Sequence, residues 1–227
     1  MKILLVSATE LEIRPFLTRI NQRKIENGYA ENIELKGISI DVLITGIGLV
    51  FISHKLTKTL NKKRYDLVIN AGIAGSFNKN LNIGEVVLVG LEEFGDLGVE
   101  DDMGFHTVFE RGFIGKNEFP FENGCLKTKL PEKLKLPEFK QVKGLSSNTT
   151  HGNEKNIREL LRKFQADIET MEGAAFFYVC LMENADFIEI RAISNYVEIR
   201  DVSKWNIPLA AQNLSDSLFK IIEPTGK

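Results

Sequence analysis

The sequence predicts an α/β fold, a single domain in which a mixed, mostly parallel central sheet is flanked by helices. Short β-branched runs alternate with helical patterns along the chain, the rhythm of strands joined by crossover helices. The runs read as buried strands, as expected for a sheet covered on both faces. The length, 227 residues, is one at which α/β units still share a single core, so residues 1–227 read as one domain.

In chain order, Ile3–Val6 is the first strand; it ends in Ser7-Ala8-Thr9 and delivers Glu12 onto the first turn of a helix. Ile40–Ile44 is a second strand, followed by a helix whose apolar face is Leu49, Ile52, Leu56 and Leu60. Leu67–Ile69 runs into "AGIAGS", whose glycines let a ligand approach the backbone. Val86–Val89 is a further strand. Residues 91–125, rich in Gly, Phe and acids without a steady period, suit a functional surface loop. Ile157, Leu160, Leu161 and Phe164 mark another helix face, and Ile188–Ile193 is a strong strand with Arg191 embedded in it. Ser194–Asn206 follows it as a loop, and a last helix starts near Pro208 and runs through Leu214 and Leu218. Ligands of open α/β sheets collect beyond the carboxyl ends of strands, so both loops are expected to line a pocket.

Composition narrows the partner. There are 29 Lys and Arg against 31 Asp and Glu, a net charge of −2, so no polybasic field invites nucleic acid or an anionic membrane. A small molecule is expected instead. The N-terminal apolar run is too short for a signal peptide or membrane span, and no later segment reaches ~18 apolar residues. Cys180 lies in an apolar run as a reduced, packed thiol; with Cys125 the only other cysteine, a reducing cytoplasm is expected. "GIG" at Gly46–Gly48 lacks the third glycine of a dinucleotide fingerprint, and "GFIGKN" lacks the spacing of a phosphate loop. His54, His106 and His151 are widely separated, form no metal-ligand pattern, and read individually as surface or packing residues.

One carboxylate poses a question. Glu172 stands at the mouth of "GAAFFYVC", an almost wholly apolar segment. Acidic side chains favour the first turn of a helix, so Glu172 is either a helix start or a grip on a polar ligand at the sheet edge. Glu12 alone reads as a solvated helix acid and Arg191 alone as a structural ion pair. Together with Glu172 and Ser194-Asn195 they look like one site at strand ends.

The order and spacing of "MKILLVSATELE", "TGIG", "NAGIAGS", "TMEGAA" and "RAISN" resemble the purine nucleoside phosphorylase/nucleosidase superfamily, and the chain is similar to its methylthioadenosine/S-adenosylhomocysteine nucleosidases. At "AFFYVC" and "SNYVEIRDVSKWNIPLA" it looks most like the futalosine hydrolases of the alternative menaquinone pathway. The match covers both ends and the centre and is weakest over 91–140. The resemblance implies a nucleoside phosphorylase-like fold, an N-glycosidase needing no cofactor or metal, and a homodimer or dimer-based assembly. It also implies roles. Glu12 would activate water with help from Arg191; Met171 and Glu172 would grip the ribose; Ala74, Gly75 and Asn195 would meet the base. An ionised carboxylate to deprotonate water, and stabilisation of the departing base, are what an oxocarbenium-like transition state requires.

Asn195 stands where the nucleosidases have an acid. An amide hydrogen-bonds but cannot give up a proton, so Asn195 is expected to stabilise a departing 6-oxopurine electrostatically. The futalosine tail implied by the resemblance ends in a benzoate, which calls for aromatic walls and a cation. The candidates are Phe94, Phe105, Tyr196 and Trp205 for the walls and Arg200 or Lys204 for the cation, with Arg111 next. Two rivals remain. A phosphorylase is disfavoured because "SATELE" offers no cation before Arg14 and Glu12 would repel phosphate; a non-catalytic purine-binding module would have no use for Glu12.

Overall fold

The computed structural model describes residues 1–22, 25–128 and 136–222. Its elements are β1 (Lys2–Ser7), α1 (Glu10–Arg19), β2 (Tyr29–Leu35), β3 (Ile38–Ile44), α2 (Leu49–Leu60), β4 (Leu67–Ser76), β5 (Val86–Phe94), β6 (Gly98–Asp101), β7 (Gly104–Thr107), β8 (Leu126–Lys127), β9 (Lys140–Ser146), α3 (Glu154–Phe164), β10 (Ile168–Thr170), α4 (Gly173–Met182), β11 (Phe187–Tyr196) and α5 (Ile207–Ile222). The sheet runs β10-β9-β5-β11-β4-β1-β3-β2, with β8 on β5. Because β10 also pairs antiparallel with the far end of β4, five strands curl into a closed ring beside the open parallel run β11-β4-β1-β3.

Side-chain alternation sorts the layers. On β1, Leu4 and Val6 join the core under α2 and α4, whereas Ile3 and Leu5 join the one under α1 and α5. The same parity on β11 sends Ile188, Ile190 and Ala192 to the α1/α5 side and leaves Phe187, Glu189, Arg191 and Ile193 on the α4 side. Two charged residues are thereby built into a core face.

Two irregularities re-aim side chains. The pairing of β5 with β9 slips by one residue between Val89 and Leu91, which turns Glu92 towards α4. The pairing of β11 with β4 slips between Ile193 and Asn195, at the carboxyl end of both strands. β1 pairs with β3 on one side and β4 on the other, all parallel, so its end is a switch point where a crevice opens.

Every strand and helix expected from the sequence is present, most of them longer than the apolar run that marks them. The stretch 91–125 differs from expectation. It begins as the end of β5 and carries the hairpin β6–β7, and none of its residues lines the cavity described next.

Candidate active site

A cavity of about 260 Å³ opens at the carboxyl ends of β1, β4, β10 and β11. Its lining brings together Glu12, Ala74, Gly75, Met171, Glu172, Asn195, Arg200 and Trp205, which lie far apart in the chain.

Arg191 does not line the cavity; it lies wholly buried beneath it, against Gly72. Its Nε donates to Glu189 Oε1 at 2.8 Å, Asn70 Nδ2 donates to Glu189 Oε2 at 3.1 Å, and Nη2 lies 3.9 Å from Glu172 Oε2. The guanidinium fits because its register partner is Gly72. A Cβ there would stand 2.1 Å from Nη1 and 2.7 Å from Glu12 Oε1, so the glycine expected to admit a ligand instead admits two side chains of the site itself. Nη1 and Nη2 have no protein hydrogen-bond acceptor among the described residues. Such buried donors are costly to leave unmet, and here Nη1 and the carboxylate of Glu12 share the space that a Cβ at Gly72 would fill.

Glu12 is held on all sides but one. Its Oε2 accepts from Thr9 N–H and Thr9 Oγ1 at 2.9 Å each and from Ser7 Oγ at 3.4 Å; Oε1 accepts from Ile73 N–H at 3.1 Å. By bonding the backbone N–H of Thr9, the residue before the helix, Glu12 caps α1 with the group that faces the cavity. A carboxylate has roughly four acceptor positions, so Oε1 keeps one for a further donor.

Glu172 answers the question its position raised. It occupies the cap of α4, yet its side chain makes no capping bond. The first N–H groups of α4 are taken by Thr170 Oγ1, which accepts from Gly173 N–H at 3.2 Å, and by Ser146 Oγ, which accepts from Ala174 N–H at 2.8 Å. Relieved of that duty, Glu172 turns to the cavity, where Oε1 accepts from Gly48 N–H at 2.9 Å. Gly48 presents this N–H from a backbone with φ +107°, a conformation that favours glycine. Burial lifts the Glu172 carboxyl to about 7, against the pull of Arg191 and of Gly48 N–H. Behind it, Glu92 is pushed well above the usual carboxylate range, first by burial and then by the charge of Glu189. Glu92 Oε2 accepts from Ser146 Oγ at 2.8 Å.

Asn195 is oriented by its neighbours. Its Nδ2 donates to the carbonyl of Tyr196 at 3.1 Å, and Ser194 Oγ donates to its Oδ1 at 2.8 Å. Because a carbonyl only accepts, the amide cannot turn over, and one Nδ2 proton is left for a ligand. The rim is made by Arg200, whose Nη1 donates to Thr150 Oγ1 at 3.0 Å and whose guanidinium lies 5.2 Å from the Trp205 ring.

Other candidates lie elsewhere. Phe105 lines a groove between the β6–β7 hairpin and α3, and Phe94 a smaller hollow. Tyr196 faces a third cavity, its hydroxyl donating to the Leu81 carbonyl at 3.0 Å. Lys204 pairs with Glu198 at 3.2 Å, and Arg111 pairs with Asp101. Sequence reasoning missed Leu11, Ile47, Thr150, His151 and Glu169, which do line the cavity. For the last pair there was no signal, because Glu169 is the middle residue of the three-residue strand Ile168–Thr170, too short to show a period.

The sheet and the cavity at its strand ends define an α/β class of protein with a small-molecule-sized site, and comparison with known proteins supplies the family. The model of the phosphorylase superfamily (PNP_UDP_1) matches residues 2–223, and the chain belongs to that superfamily. It is 30% identical over 197 residues to a futalosine hydrolase of Thermus thermophilus, covering 85% of each chain. It is likewise 30% identical over 233 residues to a 5'-methylthioadenosine/S-adenosylhomocysteine nucleosidase of Buchnera aphidicola, covering 98% of this chain and 96% of the other. A solved structure of the Helicobacter pylori nucleosidase of the latter type, complexed with a substituted pyrrolidinol, shares the fold at TM-score 0.79 and 18% identity, with 98% of each chain covered. The relatives are N-glycosidases, and so is this protein. Among the described residues no helix is long and apolar enough to cross a membrane.

Proposed function

We propose that the protein hydrolyses futalosine, releasing hypoxanthine, as a step in menaquinone biosynthesis. The observation that carries this reading is the locked amide of Asn195, whose spare N–H donor matches the carbonyl oxygen of a 6-oxopurine. The Thermus thermophilus relative supports it. In this reading Glu12 Oε1 and the unmet N–H groups of Arg191 hold the attacking water, and Glu12 takes its proton. Glu172, gripped by Gly48 and assisted by Met171, accepts from the ribose hydroxyls. Ala74 and Gly75 floor the base, and Arg200 at the rim meets the tail carboxylate. Water is favoured over phosphate because Glu12 faces the attack position.

A second reading, a methylthioadenosine/S-adenosylhomocysteine nucleosidase, is favoured by the equal identity of the Buchnera aphidicola relative over nearly the whole chain. Incubation with futalosine, its 6-amino analogue and methylthioadenosine in phosphate-free buffer separates the two. Free hypoxanthine should appear fastest, and Asn195→Asp should shift the ratio towards the amino compound by roughly tenfold or more, the cost of an unpaired buried polar group. A wild type that prefers methylthioadenosine sinks the futalosine assignment. The protein is further proposed to be a homodimer: α2 and α4 pack side by side and expose Val50, Phe51, Tyr178 and Met182, an apolar strip suited to a second copy. A monomeric mass in light scattering would rule it out.

A further inference from the structure

Asn195 leaves the departing base without a source for its proton, and the cavity wall holds a group that the reading above does not use. His151 lines the main cavity, the third cavity and the groove between the β6–β7 hairpin and α3, and in the first two it shares the wall with Asn195 and Arg200. Its Nδ1 is bonded by Glu169 Oε1, and its backbone N–H donates to both carboxylate oxygens of Glu169, at 3.2 and 3.1 Å. Glu169 is itself 5% exposed and sits on β10 beside the ribose-facing segment. With Nδ1 so held, the remaining polar atom of the ring is Nε2, which meets no protein partner among the described residues.

We propose that His151, positioned by Glu169, is the proton donor to the departing purine. This rests on the nucleoside-hydrolase reading. As the bond between C1′ and N9 breaks, its electron pair passes into the purine ring, and a ring nitrogen takes the proton from His151 Nε2. Water attacks C1′ and gives a proton to Glu12. The products are the neutral base and the free sugar, with Glu12 one proton richer and His151 one poorer until solvent exchange restores both.

The electrostatic setting favours an imidazolium. The hydrogen bond that the His151 ring donates to the Glu169 carboxylate raises the His151 pKa above its ordinary value, opposed by partial burial and reinforced by the charges of Glu169 and Asp96. The other charges sharing a wall with His151 are largely matched: Lys163 is bound to Glu110 at 2.6 Å and Lys204 to Glu198 at 3.2 Å. Arg200 stays on Thr150, Asp201 bonds Ser203 at 2.6 Å, and Glu159 and Arg162 stand across the groove on α3. In the main cavity, Glu12 and Glu172 belong to the water and ribose sides.

The test compares leaving groups. A purine needs a proton to depart, whereas 4-nitrophenolate does not, so His151→Gln should lower kcat for futalosine and inosine about 100-fold while 4-nitrophenyl β-ribofuranoside is cleaved within about twofold of wild type. His151→Gln should also remove the alkaline limb of the kcat/KM profile on purine nucleosides, and Glu169→Gln should move that limb to lower pH. Equal losses on both leaving-group classes, or an alkaline limb that survives His151→Gln, would overturn the assignment. A wild type that releases no base from any purine nucleoside removes the hydrolase reading itself, and the acid with it.

Discussion

The floor and the rim of the cavity are built in opposite ways. The floor lies on strands and helix starts: Glu172 before α4 and Glu12 on α1, with Arg191 on β11 beneath the cavity, each nearly or wholly buried and each held by backbone or by another charge. The rim lies on loops: Arg200 is exposed, its side chain meets a hydroxyl and an indole face, and its backbone N–H donates to the Gly152 carbonyl at 3.2 Å. On the proposed function, the difference separates reaction from recognition. Chemistry needs groups whose geometry does not relax as charge develops, which buried, multiply bonded side chains supply. Discrimination among tails needs contacts that vary at little cost to the fold, which loops supply.

The largest expected effect is on the floor. Glu12→Gln keeps the shape and loses the basicity, so kcat should fall by roughly 10²–10⁴-fold while substrate affinity, read by calorimetry, changes little. The amide keeps one acceptor oxygen, so either the Thr9 N–H on Oε2 or the Ile73 N–H on Oε1 loses its acceptor, and the melting temperature should fall by a few degrees while the fold is kept. Near-normal turnover would remove Glu12 from the reaction and blur the contrast between floor and rim.

Glu172→Gln should cost about 1.5–3 kcal/mol in kcat/KM, on the order of ten- to a hundredfold, for loss of charge-assisted bonds to the ribose. The pH dependence gives a sharper reading. With its carboxyl raised to about 7, Glu172 becomes charged only as pH rises through that value, so kcat/KM should climb from pH 6 to 8 in wild type and lose that limb in the variant. Stability runs the other way. A carboxyl whose pKa is higher folded than unfolded destabilises the fold progressively from about pH 4.5 upward, with the full penalty present above about pH 7. The glutamine variant should therefore melt higher than wild type at pH 8 while being less active. Parallel losses of activity and melting temperature would return Glu172 to the role of a helix start.

The same contrast governs what could be read from sequence. Glu12, Arg191, Glu172 and Asn195 stand at the ends of strongly apolar strands or at the head of an apolar helix, where a charge is conspicuous. The edge strand β2 and the strand β9 went unseen because polar, exposed or half-exposed residues interrupt their apolar pattern, Glu31, Asn32 and Glu34 in the one and Lys140, Gln141 and Lys143 in the other. Glu92 was hidden for a different reason: its direction depends on a one-residue slip in β5, and slips leave no mark in an apolar period. His151 was dismissed as a lone histidine, because its partner Glu169 lies 18 residues on and meets it only through the fold. Phe94 and Phe105 were chosen by residue type alone; Phe94 ends β5, Phe105 lies on the hairpin, and each lines another surface.

The smallest effect belongs to the rim. Arg200 stacks on Trp205 and bonds Thr150 at the surface, contacts worth about 0.5–1 kcal/mol, so Arg200→Ala should lower the melting temperature by only about 1–4 °C. Its consequence for recognition is more selective. A guanidinium at the mouth of the cavity can take the tail carboxylate of futalosine in a two-point bond, whereas inosine carries the same base and sugar without that tail. Arg200→Ala should raise KM for futalosine about tenfold, the size of one exposed charge-assisted contact, and leave inosine within about twofold. If both substrates suffer alike, Arg200 acts on the loop that carries Thr150 and His151 rather than on the tail. The rim would then be an extension of the floor's machinery, and the tail's cation must be sought among Lys204 and Arg111.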